Sequence, residues 1–342
     1  MIKVFIIDDS LMVRNAIIKL LKDQKDIDII GEAANPIDAL SVFKKVGFPD
    51  VFILDIEMPK MDGLTFLKKI NEQNPTPVII CSTLVTLGSN AAIDALRYGA
   101  VELIQKPSIK VKEFFDEQKD DFIKAIRHAA VSKINYKKNL KNSSIENQSN
   151  KVDLKPSKKF IAIGSSTGGV QVIEEIVLQL RSNHPGIVIT QHMPEGFTNS
   201  FATRLNSIAT SKIVEAQNDQ VIEDNKVIIA KGGIHMEVYE ENGIYKIKLR
   251  DFPRVNSHKP SVNVLFKSIS KIKNPQLKAF ILTGMGDDGA SGITKLHQMG
   301  IETFGQNEQS CTIYGMPKEA SKLGGITKEL NIEQIIETIN NY

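Results

Sequence analysis

Two clusters of side chains have the types and spacing to do chemistry. In the first, Asp8 and Asp9 close the apolar run Val4-Phe5-Ile6-Ile7, Asp55 follows Val51-Phe52-Ile53-Leu54, and Lys106 stands before Pro107. Three carboxylates supply the hard oxygen ligands that Mg2+ takes. The metal would neutralise the acids and an incoming phosphoryl group, leaving one carboxylate free to attack phosphorus in line. Lys106 could pair with one phosphoryl oxygen and Ser82 hydrogen-bond another. The plain structural alternative is that Asp8 and Asp9 cap a helix starting at Leu11.

The second cluster lies in the C-terminal half. Gly164-Ser165-Ser166-Thr167-Gly168-Gly169 contains Gly-x-Ser-x-Gly with Ser166 at its centre. At a sharp strand-to-helix turn, that spacing exposes a serine hydroxyl. A glycine-rich turn at a helix start also holds phosphate on backbone amides, but the lysine of a phosphate-binding loop is missing here. His192 ends the next apolar strand, and Asp287 and Asp288 follow a later one, so nucleophile, base and orienting acid can meet at one sheet edge. Taken singly, His192 could be a packing histidine and the Asp-Asp-Gly turn a cap for a helix near Ala290. His235 and His258 have no metal-site spacing and read as loop or rim histidines.

Both clusters need strands that end together. The segments 3–7, 27–33, 51–54, 78–81 and 102–105 read as strands, and 11–21, 36–45, 63–71, 88–98 and 111–132 as helices. Continuous apolar strands separated by amphipathic helices argue a parallel sheet covered on both faces, with ligands beyond the strand C-termini. Past residue 159, strands are expected at 160–163, 186–190, 226–230 and 279–283. Two segments, 234–239 and 244–250, flank Asn242-Gly243, a strong hairpin signal. Helices are expected at 170–180, 262–271, 289–298, 317–323 and 332–341. The fold class is therefore α/β in two domains: residues 1–131, then a basic linker over 132–158, then 159–342.

The linker carries most of the basicity. Residues 132–159 hold eight lysines against Glu146 and Asp153, while the whole chain has a formal charge of only +3. The rest is net negative, and no basic face with interleaved aromatics is left for nucleic acid. The segment is too polar to repay ordering and reads as a flexible tether. No apolar run approaches a membrane span, no signal peptide is evident, and Cys81 and Cys311 form no disulfide or metal pattern. A cytoplasmic setting is expected.

Residues 1 to about 128 resemble a response-regulator receiver domain, through Ile6-Ile7-Asp8-Asp9-Ser10, Asp55 to Gly63, and Gln105-Lys106-Pro107. The resemblance implies a flavodoxin-like receiver with Asp55 as phosphoacceptor. It implies Mg2+ on Asp8, Asp9, Asp55 and the backbone carbonyl of Glu57, and Ser82, Lys106 and the aromatic Tyr98 as switch residues. Residues 160–342 resemble the catalytic domain of the chemotaxis protein-glutamate methylesterases, through Gly164 to Gly169, Gln191 to Pro194, Ala230 to Met236, Thr283 to Ala290 and Tyr314 to Ala320. That resemblance implies a doubly wound parallel α/β domain with a small antiparallel hairpin. It also implies Ser166 as nucleophile, His192 as general base and Asp288 as the acid that orients His192. Ser165 stands where the family often has alanine, and Asp287 neighbours Asp288; the motif register and the family match favour Ser166 and Asp288. Thr167 and Met285 mark the backbone expected to hold the oxyanion, although Thr167 could simply cap the following helix. Arg204 and the loop around Glu195 are candidates for lining a peptide groove, or an ordinary helix start and turn.

The implied activity is hydrolysis of glutamate methyl esters on chemotaxis receptors, with deamidation of receptor glutamines, and no cofactor for the ester chemistry. The phosphoryl donor would be a chemotaxis histidine kinase, and the protein would associate with membrane receptor arrays without an integral membrane segment. Phosphorylation at Asp55 would relieve a receiver-imposed block of the esterase cleft. The competing readings are a receptor glutamine deamidase on the same triad, and a phosphorylation-switched adaptor without catalysis. A DNA-binding response regulator is disfavoured because the second domain opens with a sheet and a glycine-rich turn.

Overall fold

The computed structural model describes residues 1–84, 89–106, 114, 119–133 and 154–342. The expected helix start at Gly88, the first part of the helix expected over 111–132, Pro107 and most of the tether lie outside the described residues. The chain divides into two compact units, Met1–Lys138 and Asn139–Tyr342.

The first unit alternates β1 (Ile2–Ile7), α1 (Leu11–Leu21), β2 (Ile27–Ala33), α2 (Pro36–Val46), β3 (Val51–Leu54), α3 (Gly63–Gln73), β4 (Val78–Ser82), α4 (Asn90–Arg97), β5 (Ala100–Gln105) and α5 (Lys119–Ala130). Its five strands pair in parallel in the order β2-β1-β3-β4-β5, the flavodoxin-like arrangement. The chain starts at β1 and crosses to β2 before continuing through β3, so the ends of β1 and β3 border a crevice where the order reverses. Ser10 caps α1, its hydroxyl accepting from the Val13 amide, which leaves the Asp8 and Asp9 carboxylates free of the capping role considered for them. Gly63 packs against the backbone of Asp55: a Cβ at position 63 would lie 1.9 Å from the Asp55 carbonyl oxygen.

The second unit runs β6 (Phe160–Ser165), α6 (Gly169–Leu178), β7 (Gly186–Gln191), α7 (Phe197–Ile208), β8 (Lys212–Glu215), β9 (Lys226–Ile229), β10 (His235–Glu241), β11 (Ile244–Arg250), α8 (Val262–Ile269), β12 (Leu277–Ile281), α9 (Ala290–Gln298), β13 (Glu302–Gln306), α10 (Met316–Lys322), β14 (Lys328–Leu330) and α11 (Ile332–Asn340). Seven parallel strands stand in the order β14-β13-β12-β6-β7-β9-β8, and β10 pairs with β11 as the hairpin turned by Asn242-Gly243. Both turn residues have positive φ, as a two-residue hairpin turn demands. The chain enters at the centre on β6, builds outward one way, then returns to β12 on the other side. That reversal puts the crevice at the C-terminal ends of β12, β6 and β7. The helices fall into two packed groups, α6 with α7 and α11, and α8 with α9 and α10, the layers of a doubly wound sheet.

β8, β13, β14 and α7 extend the architecture beyond the expected elements. Phe197, Phe201 and Leu205 recur at helical spacing along α7 and are buried, which is the signal that identifies it.

Replacing Gly63 by alanine is expected to destabilise the first unit by about 3 kcal/mol, because the clash is with backbone. Calorimetry of the full chain would show the transition of that unit falling while the other stays. An unmoved transition would mean that the Asp55 backbone can give way.

Candidate functional site

In the first unit, Asp8, Asp9 and Asp55 each offer a carboxylate oxygen within 4.8 Å of the others. Asp8 and Asp55 are buried and Asp9 is exposed. Lys106 reaches over from the end of β5, its Nζ 2.5 Å from Asp8 Oδ2 and 2.5 Å from Asp55 Oδ2. Burial, working against the pull of Lys106, pushes the Asp8 carboxyl up to about 6. Burial also works against the Lys106 ammonium, but the charges of Asp8 and Asp55 outweigh it and raise its pKa. The remaining oxygens are held in place: Asp55 Oδ1 accepts from the Ile56 amide at 2.6 Å, and Asp8 Oδ1 from Ser10 at 3.0 Å. One lysine cannot fully neutralise three carboxylates, so the cluster fits a divalent cation on the charge and hardness of its donors.

Ser82 ends β4, fully buried, with its hydroxyl accepting from the Leu84 amide at 3.3 Å. The exposed Glu57 side chain accepts from Thr83 Oγ1 at 3.1 Å. Tyr98 is half-buried with Lys68 Nζ 3.9 Å above its ring, and its carbonyl accepts from Asn71. No hydrogen bond joins Tyr98 to Ser82 among the described residues. Arg14, unremarked in the sequence, donates to the Asp8 carbonyl at 2.7 Å and to Glu32 Oε2 at 2.8 Å, bracing the acidic loop.

In the second unit, β6, β7 and β12 are neighbours, and the turns after them carry Ser166, His192 and Asp288. Ser165 and Ser166 are separated by their surroundings. Ser165 is the last residue of β6, fully buried, and its hydroxyl donates to Gln191 Oε1 at 2.7 Å. Gln191 Nε2 in turn donates to the carbonyls of Ser166 at 2.9 Å and His192 at 3.2 Å. Ser166 starts the turn, is partly exposed, and its backbone is fixed by Ser166 N donating to Thr283 O at 3.0 Å and by Gly169 N donating to Ser166 O at 2.8 Å. Gly284 passes so close that a Cβ there would meet Ser166 Cβ at 2.6 Å. The α6 N-cap is Gly168, with φ +79° and no side-chain cap, so Thr167 does not cap the helix as considered above.

His192 Nε2 lies 2.8 Å from Asp288 Oδ2. A carboxylate selects the tautomer with the proton on the nitrogen it faces, so Nδ1 carries the lone pair. Nδ1 is buried and has no partner among the described residues. Asp288 is buried and also accepts from Ser261 Oγ at 2.8 Å and from the amides of Val262 and Asn263 at 2.7 and 3.1 Å. Those groups are the start of α8, where orphan amides and the helix dipole favour an anion. Burial pushes the Asp288 carboxyl up, but the hydrogen bond and charge of His192, with Ser261 and Val262, hold it below the usual range. Asp287 points elsewhere, exposed and accepting from Asn256 at 3.1 Å.

One of the two histidines read as loop or rim residues is neither. His235 is fully buried, stacked on Phe252 and hydrogen-bonded to the Pro253 carbonyl at 3.1 Å. His258 stacks on His192, ring centroids 3.6 Å apart and planes 10° from parallel. Burial, then the charge of His192, pull His258 down to about 4; Arg254 adds to this, while Asp288 and Asp287 oppose it. The amide of Ser166 is already used, so it is no oxyanion donor, whereas the amides of Thr167 and Met285 make no hydrogen bond among the described residues. Arg204 lies on α7 with Nη2 3.8 Å from the buried Glu174, a helix-to-helix contact.

The family model described as CheB methylesterase matches residues 161–339, and that of the response regulator receiver domain residues 4–116. The chain belongs to the CheB methylesterase family. A protein-glutamate methylesterase/protein-glutamine glutaminase of Leptospira interrogans is 43% identical, with all of both chains aligned. One from Shewanella oneidensis is 42% identical over 99% of this chain and 98% of its own. The crystal structure of the Thermotoga maritima CheB methylesterase catalytic domain superposes with a TM-score of 0.52 at 33% identity, covering 54% of this chain and 97% of that one. Full-length alignment shows the receiver-plus-methylesterase architecture of the family.

The depressed Asp288 carboxyl sets a sign for stability against pH. Its contribution is fully present above the ordinary carboxylate value of 3.8 and is lost as pH falls through its lower folded value. Acid unfolding of the second unit is expected to lose this limb in Asp288→Asn. A limb unchanged in the variant would place the anion's stabilisation elsewhere.

Proposed function

We propose that the protein hydrolyses γ-glutamyl methyl esters on methyl-accepting chemotaxis receptors, under control of phosphorylation at Asp55. The observation that carries the ester chemistry is His192 held between a saturated Asp288 and a partnerless Nδ1. Ser166 Oγ attacks the ester carbonyl and gives its proton to His192 Nδ1. Asp288 stabilises the imidazolium through Nε2, and the amides of Thr167 and Met285 take the developing oxyanion. His192 returns the proton to the departing methoxide, methanol leaves, and a water activated by His192 releases the acyl group as glutamate. A glutamine side chain presents the same acyl carbon with ammonia as leaving group, so receptor deamidation follows from the same residues.

Asp55 is the proposed phosphoacceptor, with Asp8, Asp9, Asp55 and the Glu57 carbonyl holding Mg2+, Lys106 and Ser82 reading the phosphoryl oxygens, and Tyr98 following as a switch aromatic. Mg2+ held by these residues would supply the positive charge that phosphoryl transfer to a carboxylate needs. The donor class is a chemotaxis histidine kinase. No helix among the described residues is long and apolar enough to cross a membrane, and the proposed location is the cytoplasmic side of receptor arrays.

Methanol release from methylated receptor membranes tests this reading. Ser166→Ala is expected to lower kcat by about 10⁴-fold or more, as loss of a triad member does. Ser165→Ala keeps the activity within about tenfold, since it removes a hydroxyl hydrogen-bonded away from the cleft. A small-molecule phosphodonor with Mg2+ raises the wild-type rate, and Asp55→Asn abolishes that response. An inert wild type that still releases ammonia from receptor glutamines would favour the deamidase; inertness in both assays would leave the adaptor.

A further inference from the structure

Between β11 and α8 the chain makes a tight turn that serves the site twice. Val255 and His258 exchange both backbone hydrogen bonds, at 3.1 and 2.9 Å, around Asn256 and Ser257, whose φ values are +49° and +68°. The turn is pinned from three sides. Arg254 Nη1 donates to the Ser257 carbonyl at 3.2 Å, Asn256 Nδ2 to Asp287 Oδ1 at 3.1 Å, and Asn263 Nδ2 to Asn256 Oδ1 at 3.0 Å. It delivers the His258 ring, parallel to His192 at 3.6 Å. A few residues on, the same segment delivers Ser261 Oγ and the Val262 and Asn263 amides to Asp288.

We propose that His258 is a positioning residue for the ester reaction, its flat ring fixing the plane of His192 so that Nδ1 stays presented to Ser166 when the proton moves. The proposal rests on the reading of His192 as general base. One hydrogen bond at Nε2 sets the distance between His192 and Asp288 but leaves the ring able to swing about that bond. A parallel ring at van der Waals distance removes that freedom and covers one face of His192 from water. The plate must be uncharged, because two imidazolium rings at this separation would repel strongly, whereas a neutral ring attracts a cation over its face. The surroundings keep it so. Desolvation disfavours charge on His258, His192 and Arg254 disfavour it further, and Asp288 and Asp287 oppose them. Asp288 already accepts from His192, Ser261, Val262 and Asn263, and no hydrogen bond joins it to His258 among the described residues. His258 is therefore left as the neutral member of the pair.

The test uses the full chain, phosphodonor-treated, as wild type, His258→Phe and His258→Leu. Methanol release is measured from about pH 3 to 9, the span that covers histidine and carboxylate titration, alongside 15N NMR of His192. The leucine variant is expected to lose about tenfold in kcat with KM nearly unchanged, and phenylalanine to restore the rate to within about threefold, from the worth of an aromatic pair. The acid limb of the wild type should carry a second ionisation near His258's value of about 4 that the phenylalanine variant lacks. NMR should show the Nε2–H tautomer that Asp288 selects in all three forms, with the His192 ring signals sharp in wild type and the phenylalanine variant and broadened by ring motion with leucine. Equal impairment of both variants, or a leucine variant matching wild type in rate and in His192 ring mobility, overturns the proposal. If no form releases methanol, the esterase reading falls, and the NMR comparison alone still decides whether the stack holds the ring.

Discussion

The structure of the catalytic unit turns on one buried anion. A carboxylate taken out of water costs several kcal/mol unless its lone pairs are filled, and Asp288 fills its own from four donors on two sides. That requirement fixes where α8 begins, since its first amides must reach the carboxylate. It also draws β6 and α9 in against the start of α8: a Cβ at Gly164 would lie 2.1 Å, and one at Gly289 2.5 Å, from Val262 Cγ1. Glycine stands at both places because the backbone approaches too closely for anything larger. The position and tautomer of His192 follow from the same carboxylate.

The two units use one architectural solution with opposite electrostatic endings. Each places buried carboxylates at the C-terminal ends of a parallel sheet, beside the strand where the order reverses. In the catalytic unit the anion is balanced by a helix start and an imidazole. In the receiver unit Lys106 is, among the described residues, the one cation paired with Asp8 and Asp55, with Asp9 alongside. That deficit of positive charge is what a divalent cation and, after it, a phosphoryl-reading lysine would use.

Much of this was legible in the chain because its parallel strands are nearly continuous apolar runs, and because each cluster sits at the end of such a run. β13 escaped since its last residue, Gln306, is a buried polar group whose reason is tertiary: it accepts from the Thr283 amide at 2.8 Å and donates to Ser310. β14 is three residues long, too short to show a period. The pair Ser165 and Ser166 has a register signal, but what disposes of the Ser165 hydroxyl is Gln191, on the neighbouring strand. Ser261 directly precedes the apolar run that starts α8, a position that does not reveal its bond to Asp288. His258 looked like a rim histidine because nothing in spacing alone brings residue 258 onto residue 192. Such stacking depends on where a loop returns, which local patterns do not encode.

We propose Ser166 as a nucleophile that His192 activates against Asp288. The most direct measurement is peptide mapping by mass spectrometry after reaction of the full-length protein with a serine-directed organophosphonate, in wild type and His192→Ala. A single adduct on Ser166 that disappears in His192→Ala is the predicted result. An adduct on Ser165, or one on Ser166 that forms equally well without His192, would contradict it.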